Sequence, residues 1–217
     1  MPTSKRILSD QERKDRTRQT LLEAAGRVFV AKGYHRALIS DIVAEAGVGQ
    51  GTFYRFFDSK REIFETLMGE VFERSAAQFA DMSARLPANA REYRDASLSA
   101  IQRIADLAEA HRDLILVFLR EGPTIDADMA AGIDAGIAQF ASLARFYLDH
   151  AIASGFARPC DSAVVAQAIV GMGLRTIELW GSRAAGDAPL ADIIREMIDF
   201  AFYGLVGKPP AGKGRRP

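Results

Sequence analysis

The stretch "AGVGQGTFYRFFDSK", residues 46–60, sets glycines at 47, 49 and 51, then four aromatics and a lysine behind them. A glycine-rich turn that opens a helix is suited to hold a phosphate, since exposed backbone N–H groups and the helix dipole both favour an anion. That phosphate belongs either to a nucleotide cofactor or to a DNA backbone. A Walker-type loop requires G-x-x-x-x-G-K-[ST] after a strand, but Thr52 follows Gly51 and the residues before Gly47, "DIVAEA", are helical in pattern. A dinucleotide-binding turn also needs a preceding strand and an acidic residue closing a βαβ unit. The other glycine pair, Gly171 and Gly173 in "VGMGLRT", lies mid-helix without a third glycine. Neither place reads as a cofactor loop.

A helix-turn-helix accounts for each position. Its first helix must stop sharply and reverse at a steep angle, which glycine permits. Gly47 is expected in the left-handed conformation, with Val48 filling the angle between the helices. Gly49 and Gly51 remove bulk where the second helix begins, so that its amides can approach a DNA phosphate.

Helical periodicity extends through the rest of the chain, and strand signals are almost absent. In "DRTRQTLLEAAGRVFVAKGY" the apolar positions Leu21, Ala24, Ala25, Val28 and Phe29 form one stripe that ends at Gly33, a left-handed cap. Ser40 reads as the N-cap of a short helix with Asp41 in its first turn, and Asp58 or Ser59 caps a longer one that stops before Pro87. Further helices are expected over about 90–110, 111–121, 125–154, 162–180 and 189–206, separated by turn chemistry at "EGPT", "SGFARPCD" and "GSRAAGDAP". The fold class is all-α: a three-helix DNA-binding domain over 1–62, a larger helical domain over 63–207, and a disordered basic tail over 208–217.

Charge follows the same division. The chain is neutral overall, yet residues 1–62 carry 12 basic against 8 acidic side chains, and 63–207 carry 12 against 20. A basic head on an acidic body suits a protein that turns one end to a polyanion. One cysteine, Cys160, rules out an internal disulfide framework. The charged N-terminus lacks the apolar core of a signal peptide, and runs such as "AIVGMGL" are too short to span a bilayer. A cytoplasmic protein with no membrane partner is expected.

The run "ALISDIVAEAGVGQGTFYRFFDSKREIFETLM" closely resembles the DNA-binding signature of the TetR family of transcriptional regulators. So does the first helix, with its "LLEAAxxxFxxKGY" pattern; together they cover Arg18 to Leu67. The resemblance implies that Gln50, Thr52 and Arg55 reach base edges, where glutamine pairs with adenine and arginine with guanine. It gives Tyr54, Ser40, Lys60 and Arg18 to the phosphate backbone and lets Gly51 admit close approach. Phe53 and Phe57 are expected in the core. Gly49 stands where the family usually has Ser or Thr, and Phe56 where it has His or Tyr, so two polar backbone contacts are missing. The basic arm of Lys5, Arg6, Arg13, Lys14, Arg16 and Arg18 is placed to compensate electrostatically.

For the body, the resemblance implies a ligand-sensing and dimerising domain. Candidate lining residues are Phe118, Met129, Phe140, Tyr147, Met172 and Trp180, with Glu121 and Arg175 as polar anchors beside Arg120 and Glu178. The plainer reading of each aromatic is core packing, and of each charge a surface ion pair. The last two helices offer Ala168, Gly171, Ile194, Ile198 and Phe202 to a homodimer interface; the alternative is that they close the monomer's own core. His35, His111 and His150 are scattered without metal-ligand spacing, and no nearby His or basic cluster marks Cys160 as a nucleophile, so neither a catalytic set nor a cofactor is expected. The resulting expectation is a homodimeric repressor that leaves a palindromic operator when a hydrophobic or amphipathic small molecule binds. Its rivals are an effector-independent architectural protein and a helical enzyme.

Overall fold

The computed structural model describes residues 9–182 and 188–203, with side chains throughout except at 78–84. Lys5 and Arg6 of the basic arm and the tail over 208–217 lie outside the described residues. The helices are α1 (Asp10–Lys32), α2 (Ile39–Ala46), α3 (Gln50–Phe53), α4 (Lys60–Ala84), α5 (Ala90–Ala110), α6 (Arg112–Glu121), α7 (Ala127–Ala153), α8 (Ser162–Gly181) and α9 (Leu190–Tyr203), with a 3₁₀ turn at Gly122–Thr124. No strand occurs among the described residues. The fold is all-α, as the periodicity indicates.

Helix boundaries follow local chemistry. α1 begins at Asp10, ahead of the apolar stripe, because Ser9 and Glu12 form a capping box: Ser9 Oγ accepts from Glu12 N and Glu12 Oε2 accepts from Ser9 N. Ser59 Oγ accepts from Glu62 N at the start of α4, Asn89 caps α5, and Asp161 caps α8 through two backbone amides. Such caps satisfy amide groups that the helix itself leaves open.

The chain divides into two compact units. One holds the described residues up to Glu73 together with Asp113–Ile133; the other holds Arg74–Arg112 and the described residues from Asp134 on. This cut differs from the expected boundary at residue 62. The first unit keeps the front of α4 and gains α6 and the start of α7, because Phe118 of α6 packs on Phe64 and Phe72 of α4 at ring distances of 5.9 and 5.8 Å.

In the first unit, Leu21, Ala24, Ala25 and Phe29 of α1 are fully buried with Ile42, Ile63 and Phe64. Phe29 meets Phe64 edge-on at 5.1 Å, and Tyr34 tilts over Phe64 at 4.8 Å. The α1–α2 connection starts at Gly33 with φ 77 and ψ 164, not the left-handed helical cap expected but another region that only glycine enters readily. A β-carbon there would lie 2.5 Å from Glu121 Oε1.

In the second unit, Tyr93 stacks on Tyr147 at 4.7 Å, with Phe202 at 5.4 Å from Tyr93. Arg94 pairs with Asp199 at 2.7 Å, joining α5 to α9. Arg112 donates to the Gly181 carbonyl at 2.6 Å while its guanidinium lies over the Trp180 ring at 5.0 Å. α8 as a whole is long and apolar enough to cross a membrane by length and composition alone, which the shorter run "AIVGMGL" did not indicate. Only 11% of its apolar window is buried.

Gly26 within α1 and Gly33 just after it are therefore expected to respond in opposite directions. Gly33→Ala should destabilise the protein by more than about 1 kcal/mol through its positive φ, with displacement of Glu121 added. Gly26→Ala places a methyl where nothing lies within 4 Å, and should stabilise by about 0.5–1 kcal/mol through helix propensity. Urea denaturation of the two variants checks both signs.

Candidate nucleic-acid interface

α2 stops at Gly47, whose φ of 67 and ψ of 31 place it in the left-handed region. The Gly47 N–H donates to the Ala44 carbonyl at 3.2 Å and Val48 N–H to Val43 at 3.0 Å, closing the helix end. Gly49 is extended and caps α3 without a side-chain bond. Only four residues are α-helical, but the winding continues: Arg55 N–H donates to Thr52 O, Phe56 N–H to Phe53 O at 2.9 Å, and Phe57 N–H to Phe53 O at 3.0 Å.

This winding sorts the side chains by face. Phe53 is 0% and Phe57 2% exposed, whereas Tyr54 is 52% exposed. Gln50, Gly51 and Arg55 are exposed and Thr52 is half-buried. The expected base-reading residues thus share a solvent face, and the two phenylalanines anchor its back. A β-carbon at Gly49 or Gly51 would meet nothing within 4 Å, so packing inside the chain does not require glycine at either position.

Other expected contacts sit differently. Ser40 is not the N-cap of α2. Leu38 holds that position and donates its N–H to Asp41 Oδ2 at 3.0 Å, while Ser40 lies exposed within the first turn. The Lys32 hydrogen bond, and then that backbone bond, hold the Asp41 carboxyl below its ordinary pKa. Arg18 is half-buried with its guanidinium 5.4 Å from the Phe57 ring centre. Lys60 turns its ammonium into the protein: Nζ donates to the carbonyls of Tyr34 at 2.7 Å and Ala37 at 2.8 Å, above the Tyr34 ring. Burial lowers the Lys60 pKa and Glu121 pulls it back up. Lys60 ties α4 to the α1–α2 connection.

The eight expected ligand residues divide between the two units. Phe118 and Met129 are buried in the first unit. Glu121 accepts from the backbone N–H of His35 at 3.1 Å, and His35 Nε2 lies 2.9 Å from Thr124 Oγ1. Arg61 of α4 pairs with Asp126 at 2.9 Å. These links join residues up to 89 positions apart, so no local pattern announces them. In the second unit, Arg175 pairs with Glu178, Trp180 lies under Arg112, and Phe140 and Met172 are half-buried. Tyr147 is 5% exposed and its hydroxyl has no hydrogen-bond partner among the described residues; burial raises its pKa to about 12.

The expected dimer residues separate as well. Ile194 and Ile198 are 5% and 3% exposed and, with Leu190, form the buried stripe of α9 in the chain's own core. They are not surface groups. Phe202 is half-buried. Ala168 and Gly171 lie on the exposed side of α8 with Val164, which is 64% exposed.

Residues 21–67 match the sequence profile of the bacterial regulatory proteins of the tetR family. The HTH-type transcriptional regulator YdgC of Bacillus subtilis (strain 168) is 25% identical over 195 residues, which is 88% of this chain and 94% of that protein. The structure resembles that of the transcriptional regulator FadR from Bacillus subtilis in complex with stearoyl-CoA. Its TM-score is 0.71 at 22% identity, covering 86% of this chain and 98% of that one. It also resembles AibR in complex with isovaleryl coenzyme A and operator DNA, with a TM-score of 0.66 at 21% identity, covering 86% and 98%. Residues 21–67, which hold the glycine-turned α2–α3 pair, thus carry the DNA-binding signature of the tetR family of bacterial regulatory proteins, and the all-helical body shares its fold with regulators of that family.

Proposed function

We propose that the protein is a homodimeric cytoplasmic repressor that leaves a palindromic operator when a small hydrophobic or amphipathic molecule binds its body. The observation that carries this reading is the sorting of residues 50–57: polar and hydrogen-bonding side chains outward, Phe53 and Phe57 inward. Gln50, Thr52 and Arg55 read base edges in the major groove, and Tyr54 donates its hydroxyl to a phosphate. A dimer presents two such faces about 34–36 Å apart, one turn of DNA.

The dimer face is the uncovered side of α8, where Val164, Ala168 and Gly171 recur at helical spacing. A β-carbon at Gly171 would meet nothing within its own chain, so a partner helix has room to approach closely. Phe200 of α9, 44% exposed, adds apolar surface. The buried Tyr147 hydroxyl is suited to donate to an acceptor on the effector. The acyl-CoA complexes of FadR and AibR support an acyl thioester as the effector class. Release acts through residues 121–126, whose Glu121, Thr124 and Asp126 hold the α1–α2 connection and the start of α4. An effector that favours a conformer with altered head spacing by about 1.4 kcal/mol weakens the operator complex tenfold.

Selection of bound duplexes from random DNA, followed by gel-shift titration, tests the reading. Tyr54→Phe should weaken binding to every sequence alike, whereas Arg55→Ala should relax the preference at one base pair of each half-site, worth about 1–3 kcal/mol. Equal losses at every base for both variants would contradict the roles assigned. Gly51→Ala should leave the melting temperature unchanged or slightly higher while lowering operator affinity. Ala168→Glu should shift sedimentation from dimer to folded monomer, with dimer dissociation raised at least tenfold; an unchanged dimer would remove α8 from the interface.

A further inference from the structure

Among the described residues two buried side-chain polar atoms have no hydrogen-bond partner, Arg94 Nε and the Tyr147 hydroxyl. Arg94 is otherwise held, by Asp199 at 2.7 Å. Tyr147 has no such support. A phenylalanine at 147 would fill the same space without desolvating a hydroxyl, so the phenol costs stability where it stands. A buried polar group that breaks the packing rule without a structural return points to a binding role.

Its surroundings are aromatic and all within the second unit. Tyr147 of α7 stacks on Tyr93 of α5 at 4.7 Å, the planes 19° apart. Phe202 of α9 lies 5.4 Å from Tyr93, and Phe156 of the α7–α8 connection 6.4 Å from it. Ser97, buried one turn along α5, spends its proton on the Tyr93 carbonyl at 2.8 Å. Burial drives both phenols up to about 12, and at Tyr93 the Tyr147 phenol and then Cys160 add to the rise. Both hydroxyls therefore stay protonated and remain donors near neutral pH. Tyr93, Phe156 and Cys160 are half-buried, while Ser154, Gly155 and Arg158 are exposed, so the cluster meets water along the α7–α8 connection.

We propose that Tyr147, with Tyr93 stacked on it, reads the carbonyl oxygen of the effector's acyl group, so that the protein answers to an acyl thioester and not to the free acid. The inference rests on the effector reading above and narrows it. A carbonyl oxygen accepts one or two hydrogen bonds and brings no net charge into the aromatic cluster. A carboxylate would bring a full charge, whose desolvation phenols alone do not offset. The neighbouring cations do not make up the difference. Arg94 is committed to Asp199, and His150, edge-on to Phe156, turns Nε2 to the Pro87 carbonyl at 2.9 Å. Arg158 stands exposed in water. The Tyr93 and Phe202 rings supply the apolar surface on which the acyl chain lies.

The test is calorimetric titration of the full-length protein with stearoyl-CoA, decanoyl-CoA and isovaleryl-CoA. Each is compared with its free acid and with the S-alkyl thioether of coenzyme A, which keeps the chain and the nucleotide but lacks the carbonyl oxygen. The thioester that binds best should exceed both counterparts by about tenfold, or about 1.4 kcal/mol. Tyr147→Phe should erase its advantage over the thioether while thioether binding and operator affinity stay as in the parent. The variant's melting temperature should be equal or higher, because it drops an unpaired hydroxyl. In isotope-edited infrared spectra the labelled thioester carbonyl should absorb at lower frequency on the parent than on Tyr147→Phe, a shift that a merely structural hydroxyl would not produce. A thioether or free acid that binds as tightly as the thioester overturns the proposal, and that comparison needs no variant. So does a carbonyl band at the same frequency on both proteins, or a Tyr147→Phe protein less stable than the parent. If thioester and thioether release the operator equally, the carbonyl reading fails and the effector reading stands. If no thioester binds or releases the operator, the effector class has failed first and the carbonyl reading falls with it.

Discussion

The ammonium of Lys60 is withdrawn from water and must be satisfied inside the protein. It reaches the carbonyls of Tyr34 and Ala37 and the face of the Tyr34 ring. These bonds satisfy the partly desolvated cation and tie the α1–α2 connection to α4. That connection sets where α2 begins, and α2 sets where the Gly47 turn delivers α3. This cation and the backbone it holds thus help to place the outward face of residues 50–55.

Around it lies a second ring of contacts from a distant part of the chain. Glu121 holds the His35 N–H and sits where a side chain at Gly33 would be. Thr124 meets the His35 ring, and Asp126 meets Arg61, the neighbour of Lys60. The connection is thus gripped by α4 on one side and by the α6–α7 segment on the other. Both grips are polar and partly exposed, so each is weaker than the aromatic packing of Phe29, Tyr34 and Phe64 beneath them. The proposed release mechanism would use this arrangement: a core that keeps the head intact, and lighter contacts through which its position can be biased.

The head and α8 use apolar surface differently. In the head Phe29, Phe53, Phe57 and Phe64 are buried, and of the large apolar side chains described there only Val30, Leu38 and Tyr54 stand exposed among the polar and charged groups outside. In α8, Val164, Ala168 and Gly171 lie exposed along one side while most of the remaining apolar residues are half-buried. Continuous exposed apolar surface favours association, and small residues at 168 and 171 remove the side chains that would keep a partner helix distant.

Much of this could be read from the sequence, because helix formation is local. The spacing of Leu21, Ala24, Ala25, Val28 and Phe29 and the glycine at 47 are short-range statements, as are the turn residues after 121, 154 and 181. The helices they predict lie within a few residues of those found. The inward aromatics and outward polar groups of 50–57 follow from the same winding. The capping box at Ser9 and Glu12 was equally local and sets where α1 begins. The tertiary structure alone decided which apolar stripe meets which partner. Both sides of α9 carry apolar residues, so its pattern could not say that Ile194 and Ile198 turn into the chain's own core. Nor could it say that Lys60 points inward or that Glu121 serves the head. Those contacts join residues tens of positions apart, and a periodic pattern fixes the face a side chain occupies but not the group that waits opposite it.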